Sequence, residues 1–256
     1  MGETTAISWT DKTWNPFIGC AKVSPGCDNC YMFRDMARYD NDPADIHRSS
    51  DATFKAPLKW QREAAGKGEQ AFVFTCSWSD FFHPAADRWR YGAWAIMRQC
   101  PNLTFQVLTK RPANMLAWAK GNAWRANIWA GVSVESQDYV WRLGTLAKIK
   151  ALYPSVTTFA SFEPLLGPLD IKPWLYKCGC GQKPCVCKGL TLNWAIFGGE
   201  SGPKGVRREL DIAALEGAVG QCRAAGVPVW VKQDSGRVPG LQGRIPDDIW
   251  TMKERP

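Results

Sequence analysis

Short apolar runs recur along the chain, and longer stretches in which apolar residues keep a helical spacing lie between them. The runs are rich in Val, Ile, Phe and Trp, which favour β-strands, and each run ends in polar residues. Six runs lie beyond residue 70: 71–80, 103–112, 127–136, 156–165, 193–202 and 227–236. The stretches with helical spacing include 89–100, 139–153 and 210–226. We therefore predict strands that alternate with helices.

This alternation predicts an α/β fold, because parallel strands are joined by crossover connections that are usually helical. A further strand is predicted at residues 5–9, TAISW, which gives about six to seven parallel strands. That number favours a partial (β/α) barrel, and a doubly wound open sheet is the alternative. We predict a single domain over residues 1–256, with a small cysteine-rich insertion at about 174–190.

Polar side chains close nearly every predicted strand. In parallel β/α folds the carboxyl ends of the strands form the active face, so these side chains are predicted to share a pocket. Each of them alone is equally explained as a turn former or a helix cap. The candidates are Ser77, Ser79, Asp80, Thr109, Lys110, Arg111, Ser133, Glu135, Glu163, Glu200, Ser201, Lys232, Gln233 and Asp234.

Charge adds a class of partner to this picture. The 32 Lys and Arg residues outnumber the 24 Asp and Glu residues, and the formal net charge of +8 favours a polyanion such as DNA or a nucleotide. The fourteen tryptophans are either packing residues or stacking platforms for bases, and composition does not decide between the two. No run reaches the roughly 18 apolar residues of a membrane span, and the first residues lack a signal-peptide pattern, so we predict a cytoplasmic protein without a membrane partner.

Ten cysteines in a cytoplasmic protein are predicted to be reduced. Cys76, Cys100 and Cys222 stand alone in apolar contexts and are predicted to be buried small hydrophobic residues. The other seven form two clusters, for which metal ligation is the leading interpretation.

The first cluster is Cys20, Cys27 and Cys30, with the spacing C-x6-C-x2-C on a loop that contains Gly and Pro. A structural zinc site requires four ligands, but the only histidines are His47 and His83 and no fourth cysteine is near. Three thiolates suit an iron–sulfur cluster in which one iron is left open for a small molecule. A zinc site completed from elsewhere in the chain stays as the alternative.

The second cluster, KCGCGQKPCVCKG, contains Cys178, Cys180, Cys185 and Cys187. Four thiolates would complete the tetrahedron of a structural zinc ion. An auxiliary iron–sulfur cluster and unligated surface thiols are the other interpretations.

The cysteine loop, with the aromatic Tyr31 directly after it, resembles the radical S-adenosylmethionine (radical SAM) superfamily. More closely, the chain resembles a family of phage and bacterial proteins that is distantly similar to spore photoproduct lyase. The stretches that carry this resemblance are ISWTDKTWNPFIGCAKVSPGCDNCY, FQVLTKRP, VSVES, FEPLLGPL, FGGESGP and AAGVPVWVKQ. Two features depart from the superfamily pattern: the first cysteine gap is three residues longer, and GGES follows about the sixth strand instead of the second.

The resemblance implies a radical SAM type of partial barrel in which Cys20, Cys27 and Cys30 ligate a [4Fe–4S] cluster. S-adenosylmethionine would chelate the fourth iron, and the reduced cluster would cleave it to a 5′-deoxyadenosyl radical that abstracts a hydrogen from the substrate. The electron would come from a reductant such as flavodoxin or ferredoxin, or from dithionite in vitro. A phage-encoded protein of this kind would work in the cytoplasm of the bacterial host.

The strand-end residues then receive expected roles. Those expected to bind the cofactor are Tyr31, Ser77, Ser79, Asp80, Ser133, Gly198, Gly199, Glu200 and Ser201. Lys110, Glu135, Glu163 and Lys232 are the catalytic candidates. Lys110, Arg111 and Gln233 are the candidates for binding the substrate or a phosphate.

Two functions of different classes are compatible with these residues. The first is a radical SAM enzyme that acts on a nucleic-acid-linked substrate, for example an isomerase that moves an amino-acid adduct on thymine during hypermodification of phage DNA. The second is a zinc-stabilised nucleic-acid-binding protein without catalysis. Metal content separates the two hypotheses.

Overall fold

The computed structural model describes residues 5–175 and 192–256. Cys178, Cys180, Cys185 and Cys187, with most of the predicted insertion, lie outside the described residues, so their proposed metal stays a prediction. The chain divides into two compact units, Met1–Ala130 and Gly131–Pro256.

Strands and helices alternate through both units. The strands are β1 (Lys12–Trp14), β2 (Phe17–Ile18), β3 (His47–Arg48), β4 (Ala71–Thr75), β5 (Leu103–Thr109), β6 (Ile128–Ser133), β7 (Thr158–Phe162), β8 (Trp194–Gly198) and β9 (Val229–Gln233). The helices are α1 (Tyr31–Arg38), α2 (Asp51–Phe54), α3 (Ala56–Lys67), α4 (Asp87–Arg98), α5 (Pro112–Gly121), α6 (Leu143–Leu152), α7 (Ile212–Ala224) and α8 (Asp247–Trp250). In the part of the chain that is described, no helix has both the length and the apolar character needed to cross a membrane.

Seven strands form one sheet in the order β1-β4-β5-β6-β7-β8-β9, and β2 and β3 form a separate antiparallel pair. The seven strands are parallel, and each one lies beside its successor along the chain, without the reversal of order that a doubly wound sheet contains. This topology confirms the predicted α/β partial barrel. All six predicted runs beyond residue 70 contain a strand, β4 to β9.

The prediction of a first strand at residues 5–9 is wrong. The first strand is β1, whose residues Lys12 and Trp14 lie opposite Val73 and Thr75 of β4. Trp9 is buried instead as a packing residue, with its ring 4.6 Å from the ring of Phe74. Trp9 is therefore buried by the packing of a turn, whereas a strand of three residues such as β1 is too short to show an alternating pattern.

Aromatic side chains fill much of the interior of the first unit. Trp94 packs against three other aromatic rings. Its ring centroid lies 4.9 Å from that of Trp124, 5.7 Å from that of Trp118 and 6.1 Å from that of Phe81. Nine of the fourteen tryptophans are buried, which supports the packing interpretation for these nine. Cys76, Cys100 and Cys222 are also buried, as predicted.

The second unit has a core of strands that are covered on both faces. Every residue of β7 and β8 is buried, as is typical of parallel strands between layers. Helix α7 begins at Asp211, whose side chain accepts a hydrogen bond from the backbone amide of Ala214 at 3.1 Å.

A glycine in β6 is required by this packing. A Cβ atom on Gly131 would lie 2.3 Å from Cζ of Phe159, whose ring is fully buried and has no space to move into. We expect Gly131→Ala to lower the free energy of unfolding by about 1–3 kcal/mol, the usual cost of overpacking. Urea unfolding followed by circular dichroism measures the change.

Gly217→Ala is the matched control, because the position lies within α7 and has no heavy atom within 4 Å of the added Cβ. This variant is expected to gain about 0.5–1 kcal/mol from the higher helix propensity of alanine. Equal unfolding midpoints for Gly131→Ala and the wild type would contradict the proposed close approach of Phe159.

Candidate metal and cofactor site

The three cysteines lie on one loop of the first unit, residues 19–30, here called the cysteine loop. It begins after β2, where the backbone amide of Cys20 donates to the carbonyl of Pro43 at 2.8 Å. Cys27 ends a 3₁₀ turn over Pro25–Cys27 and its amide donates to Ser24 at 2.8 Å. Cys30 directly precedes α1. The loop therefore runs from the end of β2 to the start of α1.

Burial raises the pKa of both outer thiols, and the neighbouring cations oppose this rise. Burial raises the pKa of Cys20 to about 11, and the Asp80 carboxylate adds to the rise while Arg111 opposes it. Burial also raises the pKa of Cys30, against the backbone amides at the start of α1 and the ammonium of Lys110. Each thiol thus has a cation near it that favours the thiolate, the form that ligates metals.

The donor set fits an iron–sulfur cluster in its chemistry. Cys27 lies near enough to Cys20 and to Cys30 to contribute to the raised pKa of each thiol. In the described residues no group of three or more His, Cys, Asp or Glu side chains is arranged to hold a metal ion. The thiol type, the number and the surrounding charge therefore match the predicted ligands, while their side chains are not assembled around one centre.

The segment after β4, residues 76–82 and here called the β4 loop, is bound to the cysteine loop. The backbone amide of Gly19 donates to the carbonyl of Trp78 at 3.0 Å, and the hydroxyl of Ser79 donates to the carbonyl of Gly19 at 2.7 Å. The phenol of Tyr31 donates to the carbonyl of Ser77 at 2.6 Å. Tyr31, Ser77 and Ser79, which were predicted to bind the cofactor, thus connect the two loops, and their cofactor contacts stay a prediction.

Asn15 is a site residue that the sequence interpretation missed. Its buried side chain donates to Ser77 Oγ at 3.0 Å and accepts the backbone amide of Trp78 at 2.9 Å. The signal was the same one used for the other strands, a polar residue directly after a strand. Because the first strand was placed at residues 5–9, Asn15 was not recognised at the end of β1.

Asp80 joins the β4 loop to the end of β5. Its carboxylate, almost fully buried, accepts hydrogen bonds from Thr109 Oγ1 at 2.6 Å and from the backbone amides of Phe82 and Lys110 at 2.9 and 3.0 Å. Arg111 completes the set with an ion pair at 3.1 Å. The predicted residues Asp80, Lys110 and Arg111 are therefore brought together beside the cysteine loop.

In the second unit the structure brings Glu163 and Lys232 together. Glu163 Oε1 lies 3.0 Å from Lys232 Nζ, and Ser161 donates to Glu163 Oε2 at 3.1 Å. A Cβ atom on Gly198 would lie 2.7 Å from Glu163 Oε1, so the absence of a side chain at Gly198 makes room for the carboxylate. Two predicted catalytic residues and one predicted cofactor residue thus meet where β7, β8 and β9 end.

Glu135 forms a separate buried ion pair after β6. Its Oε2 lies 2.9 Å from Arg142 Nη1, which also donates to the carbonyl of Ser133 at 2.8 Å. Both charged side chains are almost completely buried, and within the described residues Glu135 Oε1 accepts no hydrogen bond. Arg142 was not singled out from the sequence, since it lies inside a predicted helix.

The remaining predicted residues of the second unit have partners inside the protein. Gln233 donates to the carbonyl of Gly199 at 2.8 Å and accepts the amide of Gly240 at 3.1 Å. Glu200 is ion-paired with Arg208. Ser201 pairs with Gly236 in a short parallel bridge. No finding tests the predicted roles of these residues, which stay predictions.

The class of protein follows from the fold. A solved structure of a cysteine-to-serine variant of spore photoproduct lyase matches with a TM-score of 0.56 and 13% sequence identity, over 89% of this chain and 77% of that chain. This likeness shows the fold, a partial (β/α) barrel like that of spore photoproduct lyase, and at this identity it shows the fold alone.

By sequence, the chain belongs to the family described as protein of unknown function DUF5131, whose model matches residues 4–243. A candidate fructose-1,6-biphosphate aldolase from Coccidioides immitis is matched with a TM-score of 0.33 and 15% identity, over 72% of this chain and 73% of that chain, a similarity too weak to interpret. No curated protein matches the sequence.

Asp234, a predicted strand-end residue, provides a test of the electrostatics in the second unit. Burial raises the pKa of its carboxyl group, but hydrogen bonds from Arg244 and Ser235 outweigh burial and hold the pKa below its usual value. The lower folded-state pKa stabilises the fold fully above the unfolded pKa of about 3.9, and this contribution is lost as the pH falls through the folded pKa. We expect the stability difference between wild type and Asp234→Asn to shrink below about pH 4.

Urea unfolding at about pH 6 and about pH 3 measures this difference. Asp248→Asn removes an exposed carboxylate from the same unit and is the control. A stability difference for Asp234→Asn that is the same at both pH values would show that Arg244 does not stabilise the ionised carboxylate.

Proposed function

We propose that this protein is a radical SAM enzyme in which Cys20, Cys27 and Cys30 hold a [4Fe–4S] cluster. The observation that carries the proposal is the cysteine loop itself: three neighbouring thiols, with Arg111 beside Cys20 and Lys110 beside Cys30, in a chain with the fold of spore photoproduct lyase. A fourth protein ligand is missing from the loop, which suits a cluster whose remaining iron binds a small molecule.

The residues of the first unit would prepare this site. With S-adenosylmethionine bound, such a cluster supplies a 5′-deoxyadenosyl radical for abstraction of a hydrogen atom. The cations of Lys110 and Arg111 favour thiolates in a buried loop, where desolvation alone favours thiols. Ser79 binds the β4 loop to Gly19, directly before Cys20, while Asn15 and Tyr31 bind the same loop from the end of β1 and the start of α1.

Residues of the second unit would transfer protons to and from the substrate. Lys232 Nζ forms an ion pair with Glu163 Oε1 at 3.0 Å, and the hydroxyl of Ser161 donates a hydrogen bond to the other carboxylate oxygen. In such a pair the ammonium can give a proton to a substrate nitrogen or oxygen, and the carboxylate can take a proton from one. We assign general acid–base roles to Glu163 and Lys232, with Glu135 as a further candidate.

The proposed substrate is linked to nucleic acid. The formal net charge of +8 favours a polyanion, and Lys110 offers an ammonium group suited to a phosphate or a carboxylate. Isomerisation of an amino-acid adduct on thymine in phage DNA is the reaction that we would test first. A carbon-centred radical can change the atom through which the amino acid is bonded to thymine. The electron would be supplied by a flavodoxin or a ferredoxin.

Anaerobic reconstitution with iron and sulfide tests the enzyme proposal. After reduction with dithionite in the presence of S-adenosylmethionine, we expect 5′-deoxyadenosine from the wild type and none from Cys20→Ala, Cys27→Ala or Cys30→Ala. Chromatography of the quenched reaction and the iron content per chain are the two measurements. Cys222→Ala is the control, because it removes a thiol that is buried in α7, outside the cysteine loop.

Each result has a defined meaning. Zinc without iron in protein prepared anaerobically would reject the enzyme and favour the zinc-stabilised binding protein. Iron that is retained equally by Cys27→Ala and the wild type would reject the ligand assignment.

Binding to DNA is tested separately with a fluorescently labelled duplex oligonucleotide. If the protein contacts only two phosphates, its affinity for DNA is expected to fall about tenfold between about 50 and 200 mM salt, because binding releases counterions from the DNA. Fluorescence anisotropy at both salt concentrations measures the fall. An affinity that does not change with salt, or no binding at the lower salt, would contradict a polyanionic substrate.

A further inference from the structure

We infer that Arg111 is a positioning residue for the iron–sulfur cluster: it fixes Cys20 at the start of the cysteine loop and donates an N–H group to the sulfur atom. This inference rests on the proposed function, and it assigns Arg111 to the cluster instead of to the substrate. No sequence motif indicates such a role, since Arg111 lies 91 residues from Cys20 along the chain.

The guanidinium group of Arg111 holds three partners at once. Nη1 lies 3.1 Å from Asp80 Oδ2 and 3.7 Å from Cys20 Sγ, and Nη2 donates to the carbonyl of Ala21 at 2.8 Å. The side chain is only 10% exposed. A solvated basic turn, the simpler interpretation of LTKRP, does not explain a buried guanidinium with all of these contacts.

Arg111 is itself held in place from two sides. Its backbone amide donates to Thr109 Oγ1 at 2.8 Å, and the same hydroxyl donates to Asp80 at 2.6 Å. Asp80 also accepts the amides of Phe82 and Lys110. The position of the guanidinium, and through it the position of Cys20 and Ala21, is therefore set by the ends of β4 and β5.

An arginine in this position has two physical effects on a cluster ligand. Its contacts with Cys20 Sγ and the carbonyl of Ala21 hold the ligand in place, and its N–H group draws electron density from the sulfur, which raises the reduction potential of a cluster bound there. A lysine carries the charge, but one ammonium cannot reproduce the planar fork that reaches Asp80, Cys20 and Ala21 together. The second effect goes beyond a purely structural role, because hydrogen bonds to the sulfur atoms of a cluster tune its potential.

The experiment compares Arg111→Met and Arg111→Lys with the wild type. Each protein is reconstituted anaerobically, iron retention against a chelator is measured, and the midpoint potential is taken from a redox titration followed by electron paramagnetic resonance. Arg62→Met is the control, because it removes one positive charge from an exposed position on α3. Circular dichroism of each protein before reconstitution reports whether it is folded.

We expect Arg111→Met to bind iron about 10- to 100-fold more weakly, the usual effect of losing a residue that supports a metal ligand. Its midpoint potential is expected to be lower than that of the wild type, with Arg111→Lys between the two and Arg62→Met unchanged. If Arg111→Met is unfolded or holds too little iron to titrate, the potential of Arg111→Lys decides: a lower value supports the inference, and an unchanged value overturns it.

The outcome also distinguishes this inference from the proposed function. A wild type that binds iron, together with an Arg111→Met protein of equal retention and equal potential, would overturn the role of Arg111 alone. If Arg111→Met retains iron more weakly but its midpoint potential is unchanged, Arg111 has only a structural role, and the inference is overturned as well. A wild type that binds no iron would overturn both.

Discussion

The buried carboxylate of Asp80 is the interaction on which the first unit depends. Four donors from two places in the chain reach it: Phe82 in its own loop, and Thr109, Lys110 and the side chain of Arg111 at the end of β5. Burying a carboxylate is costly unless its oxygens are paired and hydrogen-bonded, and here both oxygens are. Because the donors belong to neighbouring strand ends, their geometry is correct only when β4 and β5 are in register.

The second unit uses a different solution at its own strand ends. Gly198 leaves space for the carboxylate of Glu163, which then meets Lys232 from the next strand. The position of Glu163 depends on the space that Gly198 leaves, whereas the position of Asp80 depends on the number of its hydrogen-bond donors. A glycine at the end of a strand can thus serve to place a neighbouring charge, an effect that a sequence motif such as GGES does not reveal by itself.

The sequence predicts the strands of this fold better than it predicts the contacts of the site. Runs of buried β-branched and aromatic residues locate β4 to β9, because a covered parallel strand must be apolar along its whole length. The three residues of β1 contain no such pattern, and this error concealed Asn15. The partnership of Arg111 with Cys20 could not be predicted, since it depends on side chains 91 residues apart whose proximity arises only through the pairing of strands.

The two outer cysteines lie in different electrostatic surroundings. Arg111 beside Cys20 is paired with Asp80, so the pair has no net charge and presents its positive end to the sulfur. Lys110 near Cys30 has no ion pair in the described part of the chain, so its charge is not neutralised by a carboxylate. An anionic group of a cofactor or a substrate would therefore be attracted to the Lys110 side of the cysteine loop, while the Arg111 side is already occupied by contacts within the protein.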